Sequence, residues 1–209
     1  MLFTRSLFAA AAAFSLMGQA VFAEIKTYAG PVKIGVVSGS TLTTCQAKSY
    51  KGFRRQKEHF GAFYRSETNQ CAFWVRNFND LKSAKAAAHK GCMILSENKG
   101  NCVLHAIMVP KDVPLDATQA SGLGTRASRS FTGEYATKQK DGRHGAFAIS
   151  KTSYGVSWNW KNTAETRATA IAYCNEDVAT LMSTLNIEGR AWAKKNGYTT
   201  CRVIDVVSP

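Results

Sequence analysis

One spacing in the chain could hold a metal. His89-x-x-Cys92 is followed by Cys102-x-x-His105, and two thiolates with two imidazoles at such intervals can form a tetrahedral zinc site. A second set could do nucleophilic chemistry. His59 and His144 lie near the starts of two short apolar runs that end at Ser66 and Ser150, so a histidine base could serve a serine hydroxyl. A third stretch could bind rather than react. Lys48, Lys51, Arg54, Arg55 and Lys57 interleave with Tyr50 and Phe53. Such cations pair with phosphate or carboxylate, and such rings stack on bases or sugars.

The elements that must position these residues occur twice. Gly61-Ala62-Phe63-Tyr64-Arg65-Ser66, the turn Glu67-Thr68-Asn69-Gln70 and the run Cys71-Ala72-Phe73-Trp74-Val75 have a second version. It reads Gly145-Ala146-Phe147-Ala148-Ile149-Ser150, Lys151-Thr152-Ser153-Tyr154 and Gly155-Val156-Ser157-Trp158-Asn159. Two short β-runs across a four-residue turn predict a hairpin in each. An alanine-rich helix to Cys92 follows, capped by Asn79 or Asp80. Its counterpart runs to Cys174, capped by Asn162 or Thr163, with Glu165 in the first turn where the helix dipole favours an anion. Each unit closes with a strand, Cys102 to Pro110 and Cys201 to Pro209.

Each unit also has a leading helix. Tyr50 and Phe53 share one face in the first, and Ala127, Phe131 and Tyr135 form the stripe of the second. Val32 to Val37 reads as an added edge or covering strand without a counterpart. The second unit carries a helical insertion, 175–197. There Val178, Leu181, Met182 and Leu185 follow helical spacing, a further turn holds Trp192, and Gly197 is a C-terminal cap.

The fold class is therefore α+β, two tandem helix–β-hairpin–helix–strand units stabilised by disulfides. The first unit with its added strand is 24–110 and the second is 111–209, with the boundary between Pro110 and about Asp116. The two sheets are expected to merge about a pseudo-twofold axis, because three strands with one helix leave a face uncovered.

The two versions act as controls on the chemistry. The positions matching His89, Cys92, Cys102 and His105 are Ile171, Cys174, Cys201 and Ile204. The cysteines recur and the histidines become isoleucine, as expected of packing positions. Disulfides Cys92–Cys102 and Cys174–Cys201 follow, and Cys45–Cys71 by elimination, each contributing roughly 2–4 kcal/mol. The zinc set His89, Cys92, Cys102, His105 is the alternative. No Gly-x-Ser-x-Gly elbow accompanies the serines, which sit where turn formers belong. Glu176 and Asp177 are adjacent on a helix and point apart. Gly122-Leu123-Gly124 is too short for a phosphate cradle, and no cofactor is expected.

Residues 1–23 read as a signal peptide: Arg5, an apolar run from Leu7 to Leu16, and Val21-Phe22-Ala23 before the cut. All six cysteines follow it, an even count that suits disulfides in an exported chain. No transmembrane segment is expected after its removal, and the location is periplasmic or secreted. With 27 basic and 14 acidic residues, the formal charge is +13. A basic exported protein meets anionic envelope material.

Gly145-Ala146-Phe147-Ala148-Ile149-Ser150, Tyr154-Gly155-Val156-Ser157-Trp158-Asn159, the alanine-rich helix to Cys174 and the strand from Cys201 resemble a domain of unknown function in exported bacterial proteins. That domain has a Gly-Ala-Ile-Ala start, a Trp-Ser-Trp-Asn-like second strand and a closing cysteine pair. The first unit departs from it at Cys71 and Val75. The tandem arrangement is also similar to exported alphaproteobacterial proteins sometimes labelled 5-aminolevulinate synthase. That activity needs a large fold, a cofactor lysine and a phosphate cradle, and it is not carried over to this chain. The resemblance implies an exported scaffold and no particular activity.

The sequence is thus read as a non-catalytic envelope protein. Its basic segment, Lys48, Lys51, Arg54, Arg55 and Lys57, binds an anionic polymer or an acidic protein, with no specific nucleic acid as partner. An inhibitor or protective factor against a wall-directed enzyme is a special case. The alternative is an envelope hydrolase using His144 or His59 with a neighbouring serine.

Overall fold

The computed structural model describes residues 25–68, 72–116 and 120–209. Two antiparallel sheets form. The first contains β1 (Val32–Val36), β2 (Gly61–Ser66), β3 (Ala72–Val75) and β4 (Cys102–Pro110) in the order β1-β4-β2-β3. The second contains β5 (His144–Ile149), β6 (Tyr154–Trp160) and β7 (Arg202–Val207) in the order β6-β5-β7. β1 covers the outer edge of β4, as expected of an added strand. Residues 1–23, expected from the sequence to be a signal peptide, lie outside the described residues.

The sheets stay separate, contrary to the expected merger, because each is covered on both faces by its own helices. Residues alternate in β2. Ala62 and Tyr64 face α2 (Leu81–Leu95), packing with Leu81, Ala84 and Ala88. Phe63 faces α1 (Thr44–Arg54) and packs with Phe53 and Tyr50. In the second sheet Ala146 and Ala148 face α5 (Thr163–Ser183). Phe147 and Ile149 face the leading helix, which begins as α3 (Thr125–Ser130). The leading helices supply the cover that the sequence reading left out.

Local chemistry starts the helices where they start. Thr43 caps α1 in a reciprocal capping box with Gln46. Asp80 caps α2 and Asn162 caps α5, each accepting from a backbone N–H three residues on. The insertion becomes an extension of α5 to Ser183 followed by α6 (Ile187–Lys195). Gly197, with φ 70°, closes α6.

Two backbone irregularities repeat the same logic. β4 bulges at His105, between the pairs Phe63↔Ala106 and Tyr64↔Leu104. β7 bulges at Ile204, between Phe147↔Asp205 and Ala148↔Val203. Each bulge turns two consecutive side chains under a leading helix. The leading helices differ by one residue: Tyr50 to Phe53 spans three positions and Phe131 to Tyr135 spans four. The longer version runs through a π-helical turn, Phe131–Tyr135, before α4 (Ala136–Lys138). An extra residue absorbed as a π-turn keeps both rings on the sheet. Phe131 and Tyr135 lie 5.1 and 5.5 Å from the Phe147 ring.

Asn79, left open as a cap, instead joins the halves. Its side-chain nitrogen donates to Ser150 O at 2.7 Å and its backbone N–H to Lys151 O at 3.0 Å. Its side-chain oxygen accepts from Gly124 N at 2.8 Å.

Candidate functional site

α1 is an amphipathic helix whose exposed charged residues are all cations. Phe53 is buried, Tyr50 is half-buried against Phe63 and His105, and Gln46 donates to Ser66 O at 2.8 Å. These contacts fix which side faces out. Lys48, Lys51, Arg54, Arg55 and Lys57 are all exposed. Lys48, Lys51 and Arg55 follow one another at helical spacing and share a face. No acidic residue occurs from Thr44 to Lys57. Among the described residues, none of the five cations forms an ion pair. Arg54 lies over the Tyr50 ring at 5.9 Å. Lys51 and Arg54 occupy the last helical turn, where the helix dipole favours cations.

Beneath α1 lie Arg65 and His105, both buried. Arg65 reaches Glu67 at 3.4 Å. Burial and the Arg65 charge lower the pKa of His105, so its ring is neutral at neutral pH. His105 Nδ1 and Arg65 Nε have no hydrogen-bond partner among the described residues.

The zinc alternative is not assembled. Cys92 and Cys102 are joined in a disulfide, as are Cys174 and Cys201. The two histidines are on opposite faces of the first sheet. His89 packs edge-on to Tyr64 on the α2 side, and His105 packs edge-on to Phe63 on the α1 side. His105 is buried as expected of a packing position, but His89 is exposed on α2 and is not one, although Ile171 and Ile204 at the matching positions of the second half both pack. Cys45 is exposed and has no disulfide partner among the described residues. Its expected partner Cys71 lies outside the described residues.

The histidine–serine pairs are not brought together. Buried His59 contacts Gly30 O through Nε2 at 3.2 Å, and burial lowers its pKa. His144 Nδ1 meets Thr163 Oγ1 at 2.9 Å. Ser66 Oγ accepts from Thr68 N, and Ser150 Oγ accepts from Thr152 N and Ser153 N. Both serines close turns, as their positions predict. Glu176 is exposed, and Asp177 pairs with Arg126 at 3.7 Å.

One feature escaped the sequence reading. A cleft of about 490 Å³ opens between β3 and α2 on one side and the end of α5 with α6 on the other. The helical spacing of Leu181, Met182 and Leu185 announced an apolar face, but no local pattern says what that face packs against. Comparison with known protein families, curated proteins and solved structures gave no match.

Proposed function

We propose that the protein is a non-catalytic envelope protein, exported to the periplasm or beyond, whose α1 surface binds an anionic polymer. The observation that carries this reading is the unneutralised row of Lys48, Lys51 and Arg54 on the outer side of α1, continued by Arg55 and Lys57 just after it. Tyr50 and Phe53 turn inward, so the surface offers charge without an apolar anchor. Protein interfaces depend on buried aromatic and apolar anchors, whereas a polyanion is held by charge alone. A polymer therefore fits better than an acidic protein. The two disulfides suit an oxidising compartment. Among the described residues no helix is long and apolar enough to cross a membrane. The two halves are read as copies of one unit, in which the first acquired the charge.

The test is retention on immobilised dextran sulfate as salt is raised. The wild-type protein elutes late, with binding that falls steeply with salt. The Lys51→Glu/Arg54→Glu/Arg55→Glu variant elutes early with a shallower salt dependence. Equal retention of the two proteins sinks the proposal, as does retention by an acidic protein column but not by dextran sulfate.

A further inference from the structure

A cleft of about 490 Å³ lies between the two halves. Its walls are apolar: Phe73 and Val75 from β3, Ile94 from α2, Met182 and Leu185 from the α5 end, Trp192 from α6. Its volume lies in the lower part of the range for small-molecule sites, about 300–1,000 Å³. Polar contacts link its two sides. Lys90 on α2 pairs with Glu188 on α6 at 2.6 Å, and Tyr198 donates to Ser83 O at 2.8 Å.

Its charged lining is Glu58, Arg76, Lys90 and Arg126. Lys90 is held by Glu188, while Arg126 meets Asn77, whose Oδ1 accepts from Arg126 N at 3.0 Å. Asn77 adopts φ 59°, a left-handed conformation that asparagine tolerates better than most residues. Arg76 is committed, pairing with Glu58 at 3.0 Å and bonding Gln56. Arg126 is loosely held, 3.7 Å from Asp177, and its side chain is 49% exposed.

We propose that this cleft binds a long-chain monocarboxylate, its single alkyl tail along the Phe73, Met182 and Trp192 walls and its carboxylate on Arg126. Each part of the ligand follows from a part of the site. The apolar walls take a tail, the modest volume takes one chain, and a loosely paired guanidinium takes a planar carboxylate in a bidentate bond. Met182 has the flexible, polarisable side chain suited to an adaptable apolar wall. This site is separate from the α1 surface and independent of the polymer reading.

Calorimetric titration with dodecanoate, below its micelle-forming concentration, tests it. The wild-type protein binds one equivalent saturably. Arg126→Gln weakens binding by at least about tenfold, the loss of one charge-assisted pair. Met182→Glu abolishes it. Dodecyltrimethylammonium, with the same tail and the opposite charge, does not saturate. The α1 triple reversal leaves dodecanoate binding unchanged. Absence of saturable dodecanoate binding overturns the proposal. So do equal binding of the cationic amphiphile, unchanged affinity in Arg126→Gln, or loss of binding in the α1 variant. Arg126 is at the surface, so its variant remains decisive if Met182→Glu fails to fold.

Discussion

The two leading helices sit in the same place on similar sheets and differ in charge. α1 and the residues just after it present five cations without an ion pair among the described residues. In the second half Arg126 pairs with Asp177 and Lys138 with Glu134 at 3.0 Å, and Lys138 also lies 5.3 Å from the Trp158 ring. Inward from the helices the contrast continues. Arg65 and His105 lie under α1, where the second half has Ile149 and Ile204. A scaffold needs apolar side chains at these positions, and the second half has them. The first half thus buries an arginine and a neutral histidine where the second half keeps apolar side chains.

Matched substitutions in the two halves should have unequal effects. The largest effect is expected at the disulfides. The bridged cysteines are 10 apart in the first half and 27 apart in the second. Loop-closure entropy gives about 2.7 and about 3.6 kcal/mol respectively. Cys174→Ser/Cys201→Ser should therefore lower the denaturation midpoint more than Cys92→Ser/Cys102→Ser. The reverse order would mean that chain entropy does not govern these bridges.

Next come the glycines at the helix–strand contacts. In the second half the small residue is on the strand. A Cβ at Gly155 would lie 2.1 Å from Ala170 O and 2.3 Å from Cys174 N, backbone atoms of α5. In the first half it is on the helix, where a Cβ at Gly91 would meet the Phe73 ring at 2.3 Å. Helix backbone cannot yield, but a half-buried ring can turn. Gly155→Ala should cost about 3 kcal/mol. Gly91→Ala should cost about 1 kcal/mol or less, because it gains about 1 kcal/mol of helix propensity. Thermal unfolding of both variants checks the difference.

A smaller effect is expected under the second leading helix. Tyr135 donates to Asp205 Oδ2 at 2.6 Å, where the first half pairs Phe53 with Ala106 in an apolar cluster. Tyr135→Phe leaves the carboxylate unpartnered and should cost about 1–2 kcal/mol. Tyr135→Phe/Asp205→Ala should recover most of that loss. A double variant as unstable as the sum of the single ones would show that the second half cannot take the apolar solution of the first.

The smallest effects are in pH dependence, and they too divide the molecule. His59 and His105 have pKa values held below the ordinary histidine value, by burial and, for His105, also by Arg65. The unfolded chain therefore binds protons that the folded chain does not. The stability these groups contribute is present above about pH 6.5 and is lost as pH falls below it, by at most about 1.4 kcal/mol per unit per group. His105→Ile should flatten this acid limb. On the alkaline side, burial raises Tyr135, which also bonds Asp205, and pushes Tyr198 up to about 12. Their contribution is complete below about pH 10 and is lost as pH rises through the folded-state values. Denaturant midpoints between pH 5 and 11 test both limbs.

Much of this was legible in the sequence, for local reasons. The hairpins, helices and short-range disulfides follow from turn chemistry, caps and cysteine positions. The substitution of isoleucine for histidine correctly read His105 as a packing position. The π-turn was not legible, because one inserted residue can be a bulge, a loop or a shifted stripe. Asn79 looked like a cap, since its partners Ser150 and Gly124 are distant in sequence. The merged sheet failed because the leading helices were left out of the layer count. The cleft was missed because Met182 and Trp192 have helical spacing whatever they face.

The central claim is that binding belongs to the α1 surface and not to net charge. The direct measurement is the salt concentration at half-elution from dextran sulfate for two variants of equal charge. One is Lys51→Glu/Arg54→Glu/Arg55→Glu. The other is Arg129→Glu/Lys140→Glu/Arg167→Glu, three exposed cations of the second half. The account predicts early elution of the first and near wild-type elution of the second. Equal loss in both would contradict it and leave the overall charge as the only determinant.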